Sequence, residues 1–151
     1  MGASCPLCRA KTPTSDEEAV KQLRPWVKKK KAWAQAYMGQ MYREGEGVKQ
    51  SYEMARMLFE LAAQQGDASA MVSLAFMYHL GQGVEQSYER AAEYYEQAAH
   101  LGFAKAQFNL GCCYANGEGV EQNMAAAKEW AEKAAAQGNE NAIAILKSLK
   151  N

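Results

Sequence analysis

The most regular feature of the chain is a set of apolar and small residues that returns every 36 positions. The segments 33–44, 69–80 and 105–116 each carry Ala, Met or Leu, Gly or Ala, and Tyr at successive spacings of four, one and three (Ala34, Met38, Gly39 and Tyr42 in the first copy). Those spacings put all four residues on one face of a helix. Eleven of the twelve glycines fall into the same register, in columns at 45/81/117, 47/83/119, 66/102/138 and 39/111, with Ala75 in the middle slot of the last. Val48, Val84 and Val120 align, as do Gln50, Gln86 and Gln122 and the pairs Ala62-Ala63, Ala98-Ala99 and Ala134-Ala135. A fixed period of this length marks a repeat architecture.

Each column has a local reason. The first glycine of Gly-x-Gly-Val suits a left-handed helix C-cap, and the second permits a tight turn. Ser51, Ser87 and Asn123 can then cap a second helix, which the third glycine column stops. Gly39 and Gly111 sit inside the first helix, where glycine costs up to about 1 kcal/mol relative to alanine. That cost implies a neighbouring helix crossing at close range. The unit is helix A, loop, helix B, turn, and seven to eight helices with no sheet are expected.

The ends follow the same scheme. Ser15-Asp16-Glu17-Glu18 reads as a capping box, and Ala19 and Leu23 fall in the helix-B columns of Ala55 and Phe59. Residues 15–31 are therefore a lone helix B, bent or split by Pro25. Residues 139–151 form a final capping helix, with Ala142 and Leu146 in the helix-A columns. The fold class is all-α, a right-handed α/α solenoid of tandem 36-residue helix-turn-helix repeats. Its parts are a tail at 1–14, a half-repeat helix at 15–31, repeats at 32–66, 67–102 and 103–138, and the cap at 139–151.

The string Leu110-Gly111-Cys112-Cys113-Tyr114-Ala115-Asn116-Gly117-Glu118-Gly119-Val120, closed by Ala-Ala-x-x-Gly, resembles the Sel-one-like repeat, a relative of the tetratricopeptide repeat. The resemblance covers about residues 31–151. It departs only at Ala75, in place of glycine, and at Met38, in place of leucine. It implies an adaptor scaffold for protein complexes. Some bacterial, disulfide-rich relatives are credited with β-lactam binding or hydrolysis. Their paired cysteines are missing here, and that activity does not carry over.

Composition narrows the function classes. The 151 residues are 48% hydrophobic and 23% charged, an ordinary globular balance. No apolar run reaches membrane-spanning length, so a soluble intracellular protein, cytoplasmic by default, is expected. Net charge is zero but unevenly spread: residues 1–50 hold ten Lys/Arg against five Asp/Glu, and residues 51–151 hold seven against twelve. The run Lys28-Lys29-Lys30-Lys31 lacks interleaved aromatics and reads as a solvated helix end. A neutral chain fails the domain-wide basicity expected of a nucleic-acid binder.

Catalysis requires a nucleophile, a base and an orienting group together. The two histidines, His79 and His100, lie on different helices, and no phosphate-cradling loop occurs, so no enzyme and no cofactor are expected. His100, near a helix C-terminus, suits the helix dipole. Cys112 and Cys113 project about 100° apart on one helix and cannot comfortably share an ion. Cysteine usage suits a reducing compartment.

Binding is the remaining class. In tetratricopeptide-like packing the inward slots of the A helices vary between repeats while the structural columns do not. Trp33, Gln40, Arg43, Phe76, His79, Lys105, Phe108 and Cys112 occupy such slots. Trp33, Phe76 and Phe108 are the expected anchors for an extended or helical partner segment, and Arg43, Lys105 and the lysine run favour an acidic one. The chain leaves its oligomeric state open.

Cys5-Pro6-Leu7-Cys8 has metal-ligand spacing and resembles the last cysteine pair of a RING-type zinc finger, as in algal proteins that join such a finger to Sel-one-like repeats. Too few residues precede the pair to supply the other ligands. The expected state is a metal-free tail, with zinc entering only alongside the missing part of a finger. Elemental analysis of the isolated chain should find no stoichiometric zinc, and replacing Cys5 and Cys8 should leave its melting temperature unchanged; one tightly held zinc per chain would refute this.

Overall fold

The structure, a computed structural model that describes residues 13–148, holds eight helices and no strand among those residues. The chain divides into two compact units, one ending at Gln65 and one beginning at Gly66. The first contains α1 (Asp16–Lys28), α2 (Ala32–Glu44) and α3 (Tyr52–Ala63). The second contains α4 (Ala68–Leu80), α5 (Tyr88–His100), α6 (Ala104–Asn116), α7 (Met124–Ala136) and α8 (Glu140–Ser148). Helices α2, α4 and α6 are the A helices of the 36-residue period, and α3, α5 and α7 are the B helices. Cys5 and Cys8 lie outside the described residues.

The helix ends follow the sequence columns. Gly45, Gly81 and Gly117 cap the A helices at φ of 76°, 67° and 71°, the left-handed region that glycine enters without steric cost. Ser51, Ser87 and Asn123 accept the backbone N–H of Met54, Arg90 and Ala126, each relieving one orphan donor of a B helix. The glutamine column closes the other side of the loop. Gln50, Gln86 and Gln122 donate from Nε2 to the carbonyls of Arg43, His79 and Ala115 at 2.9, 2.7 and 2.8 Å. Helix ends and loop are thereby stitched together identically in all three repeats.

Two expectations at the N-terminus are modified. Glu18 does not return to the N–H of Ser15 as a capping box would; its Oε2 accepts from both the N–H and the hydroxyl of Thr14 at 2.8 Å. Pro25 does not split α1, which continues to Lys28. The ring falls in the last turn, so its missing N–H and the clash with the preceding turn affect only a helix about to end.

The interior explains the mid-helix glycines. A β-carbon at Gly39 would lie 2.8 Å from the Phe59 ring, which is only 1% exposed and cannot swing aside. At Gly111 it would meet the Ala127 carbonyl at 3.1 Å. Helix A therefore has no room for a side chain at either position, facing a buried ring in the first repeat and helix-B backbone in the third, as the glycine column implies. The core of the first unit gathers Ala19, Val20, Leu23, Ala34, Met38, Met41 and Leu58. In the second unit Leu74, Met77, Ala98, Ala106, Leu110 and Ala134 are fully or almost fully buried.

The second glycine of the loop has a reason that turn geometry alone does not supply. A side chain at Gly47 would run into the Asp16 carbonyl at the start of α1, and one at Gly119 into the Tyr88 carbonyl at the start of α5. The loop thus rests directly on the N-terminus of the preceding B helix. Gly138 has a comparable φ, 84°, but opens on empty space. Gly138→Ala should cost about 1 kcal/mol, the penalty for a left-handed non-glycine residue. Gly119→Ala should cost clearly more, because backbone must also move. Urea denaturation of the two variants measures the difference, and equal midpoints would contradict it.

Candidate functional site

The sequence-derived binding residues divide between the units. In the first, Trp33 is half-buried against the core, its ring 5.9 Å from that of Trp26. Gln40 donates to Glu44 at 3.0 Å, and Arg43 pairs with the same carboxylate at 2.8 Å. In the second, Phe76 is exposed on α4, and His79 meets Tyr88 edge to face at 5.1 Å. Lys105 is exposed at the start of α6. His100 is the last residue of α5; its Nδ1 lies 2.8 Å from the Glu96 carbonyl, and its ring meets Trp130 edge to face.

Phe108 and Cys112 come together. With Gly111 and Ala115 they form one wall of a groove whose other wall is Met124, Ala127, Lys128 and Ala131 of α7, with Ile145 of α8 completing the lining. The cavity is small, about 80 Å3, and its lining is apolar apart from Lys128. Its origin lies in the repeat register. The helix-B column that holds Phe59 and Tyr95 in the first two repeats holds Ala131 in the third. An aromatic ring is missing from this position, and the space it would take is the groove. Met124 and Ile145 are both exposed at the mouth.

Sequence reasoning reached the α6 wall and missed the α7 and α8 contributions. The signal was available: Ala131 stands where the other two full repeats carry the aromatic Phe59 and Tyr95.

The two helical cysteines differ in setting. Cys113 is buried, and burial, with Glu118 and Cys112 adding to it, pushes its thiol up to about 11. Cys112, at the groove wall, is raised in the same direction by partial burial and by Glu118. Both remain protonated at neutral pH and are poor nucleophiles. Among the described residues, no group of three or more His, Cys, Asp or Glu side chains could hold a metal ion. No helix among them is long and apolar enough to cross a membrane.

The Sel1 repeat matches three times in tandem, over residues 34–67, 68–103 and 104–139. The chain belongs to the Sel1 repeat family. Among solved structures it is similar to a Sel1 repeat protein from Oxalobacter formigenes, at 32% identity and a TM-score of 0.85, over 89% of this chain and 54% of that one. It is also similar to a protective antigen of uropathogenic Escherichia coli, at 34% identity and a TM-score of 0.80, over 85% of this chain and 27% of that one. The chain thus spans about a quarter to a half of these two relatives. Cysteine-rich protein B of Helicobacter pylori shares the fold at 23% identity and a TM-score of 0.66, over 83% of this chain and 95% of that one. A search of the curated proteins finds no match. Sel1 repeat proteins serve as protein-interaction scaffolds, so the groove is first a candidate for a protein ligand.

Proposed function

We propose that this chain is a protein-interaction adaptor that takes partner segments on the helix-A side of its repeats. The carrying observation is the groove of Phe108, Cys112, Met124, Ala131 and Ile145, an apolar slot with the exposed side chains of Met124 and Ile145 on its lining. Apolar openings with polar surroundings commonly mark partner sites. Its volume suits one apolar side chain of a partner, well below what small-molecule sites enclose. Phe76 on α4 and Phe108 on α6 supply aromatic contact area in the same unit. Lys105 and Lys128 would favour acidic residues flanking the anchor, affecting association rate and salt dependence more than affinity.

A second reading makes the chain the C-terminal part of a RING-type ubiquitin ligase whose repeats recruit the substrate. It rests on the Cys5-Pro6-Leu7-Cys8 spacing, and further Cys and His pairs encoded upstream of Met1 would support it.

The adaptor reading is tested by pull-down from native lysate, comparing wild type with Phe108→Ala and Ile145→Asp. Ile145 is exposed, so the aspartate should leave the fold intact while placing a charge at the mouth of the groove. Each change should weaken partner capture by about 2 kcal/mol, roughly thirty-fold in Kd. Variants that melt like wild type and retain every partner would refute the reading.

A further inference from the structure

The first repeat differs from the second in one cluster of columns. In the second, Tyr94 stacks on Tyr78 with ring centroids 5.8 Å apart, and Arg90 lies over the Tyr78 ring at 5.5 Å. The corresponding residues of the first repeat are Leu58, Tyr42 and Met54. Leucine and methionine do not replace a stacked ring and a guanidinium, and a cleft of about 220 Å3 remains beside Tyr42, floored by Val27, Met38 and Leu58.

Three further observations concern this cleft. Arg24 and Lys28, one helical turn apart on α1, form its rim, and neither makes an ion pair with the described residues. Lys29, Lys30 and Lys31 continue the positive charge, all exposed. From Met54 an apolar stripe runs along α3 through Met57 and Leu61, exposed by 40, 48 and 45%. Their spacing of three and four places them on one helical face, about 10 Å long. The same columns hold Arg90, Glu93 and Gln97 on α5, and Ala126, Glu129 and Lys133 on α7. The period does not demand apolar residues there; only the first repeat has them.

From this we infer a second docking site, distinct from the α6–α8 groove, for an acidic amphipathic helix of a partner protein. The apolar stripe has the length of two helical turns, the footprint by which one helix reads another through anchors at i, i+3, i+4 and i+7. Methionines at 38 and 54 give the cleft a soft, adaptable lining of the kind used to accept helices. The unpaired cations at one edge select glutamate or aspartate on the flank of the incoming helix. The cleft is too small for most small-molecule ligands but can seat one or two apolar side chains.

The test uses a phage library of helical peptides panned on the full chain, with selected peptides then measured by fluorescence anisotropy. Selection should enrich helices with apolar residues on one face and Glu or Asp beside it. Leu58→Tyr restores the filled arrangement of the second repeat and should weaken these peptides at least roughly tenfold. Arg24→Glu combined with Lys28→Glu, both exposed, should weaken them several-fold, which keeps the inference testable if Leu58→Tyr misfolds. Ile145→Asp should leave them unaffected, so failure here is separable from failure of the α6–α8 groove. Enrichment of neutral or basic peptides would overturn the inference, as would equal binding by wild type and the charge-reversed variant. So would sedimentation showing that the wild type self-associates and Leu58→Tyr does not, because the occupant would then be a second copy of the chain.

Discussion

Everything in these repeats depends on how closely helix A can approach helix B. The approach is limited by one column on helix A, filled by Gly39, Ala75 and Gly111, and by what faces it. At Gly39 the facing group is the Phe59 ring, closer than a β-carbon would tolerate; at Gly111 it is the Ala127 backbone itself. A glycine inside a helix weakens that helix by up to about 1 kcal/mol. Burying an aromatic side chain beneath it contributes roughly 1.5–3 kcal/mol, so the close crossing is a net gain. The Gly-x-Gly loop, its glutamine clasp and the caps of the next helix then join the two crossed helices by local hydrogen bonds.

The same constraint explains where the openings are. A 36-residue register assigns each position a fixed volume to fill, and a residue smaller than its column leaves space of known shape. Ala131 in the column of Phe59 and Tyr95 leaves the groove between α6 and α7. Leu58 and Met54, in the columns of Tyr94 and Arg90, leave the cleft beside Tyr42. Both openings are apolar because they expose what the filled repeats keep as core. The departures from the repeat make the openings proposed here as docking sites, while the matching columns hold the frame.

The frame was legible in the sequence. Helix order, glycine caps, the Ser and Asn N-caps and the close crossing all follow from column positions, because each depends on backbone geometry and local hydrogen bonds. The proposed binding groove was only partly legible. Inward slots on helix A identified Phe108 and Cys112, but not Met124, Ala131 or Ile145, which come from the two following helices and meet them only through packing. Trp33 shows the converse: an inward slot on helix A whose side chain packs partly on the core of its unit. Reading which residue faces a slot requires knowing how deep the neighbouring helix sits, and that depth is set by residues one or two helices away. Pro25 and Glu18 depart from their sequence readings for a simpler reason. Each lies within a turn of a helix end, where a single residue shifts the outcome.

The claim that close A–B crossing is the governing constraint is tested most directly by a double-mutant cycle on Gly39 and Phe59, with stability measured by urea denaturation. In the wild type, Gly39→Ala should destabilise the protein by about 1–3 kcal/mol through the overpacked ring. In a Phe59→Ala background the same methyl finds room, and Gly39→Ala should be neutral or stabilise by up to about 1 kcal/mol through helix propensity. The predicted coupling is at least about 1 kcal/mol. Additive effects of the two substitutions would show that the ring does not limit the crossing and would contradict the account.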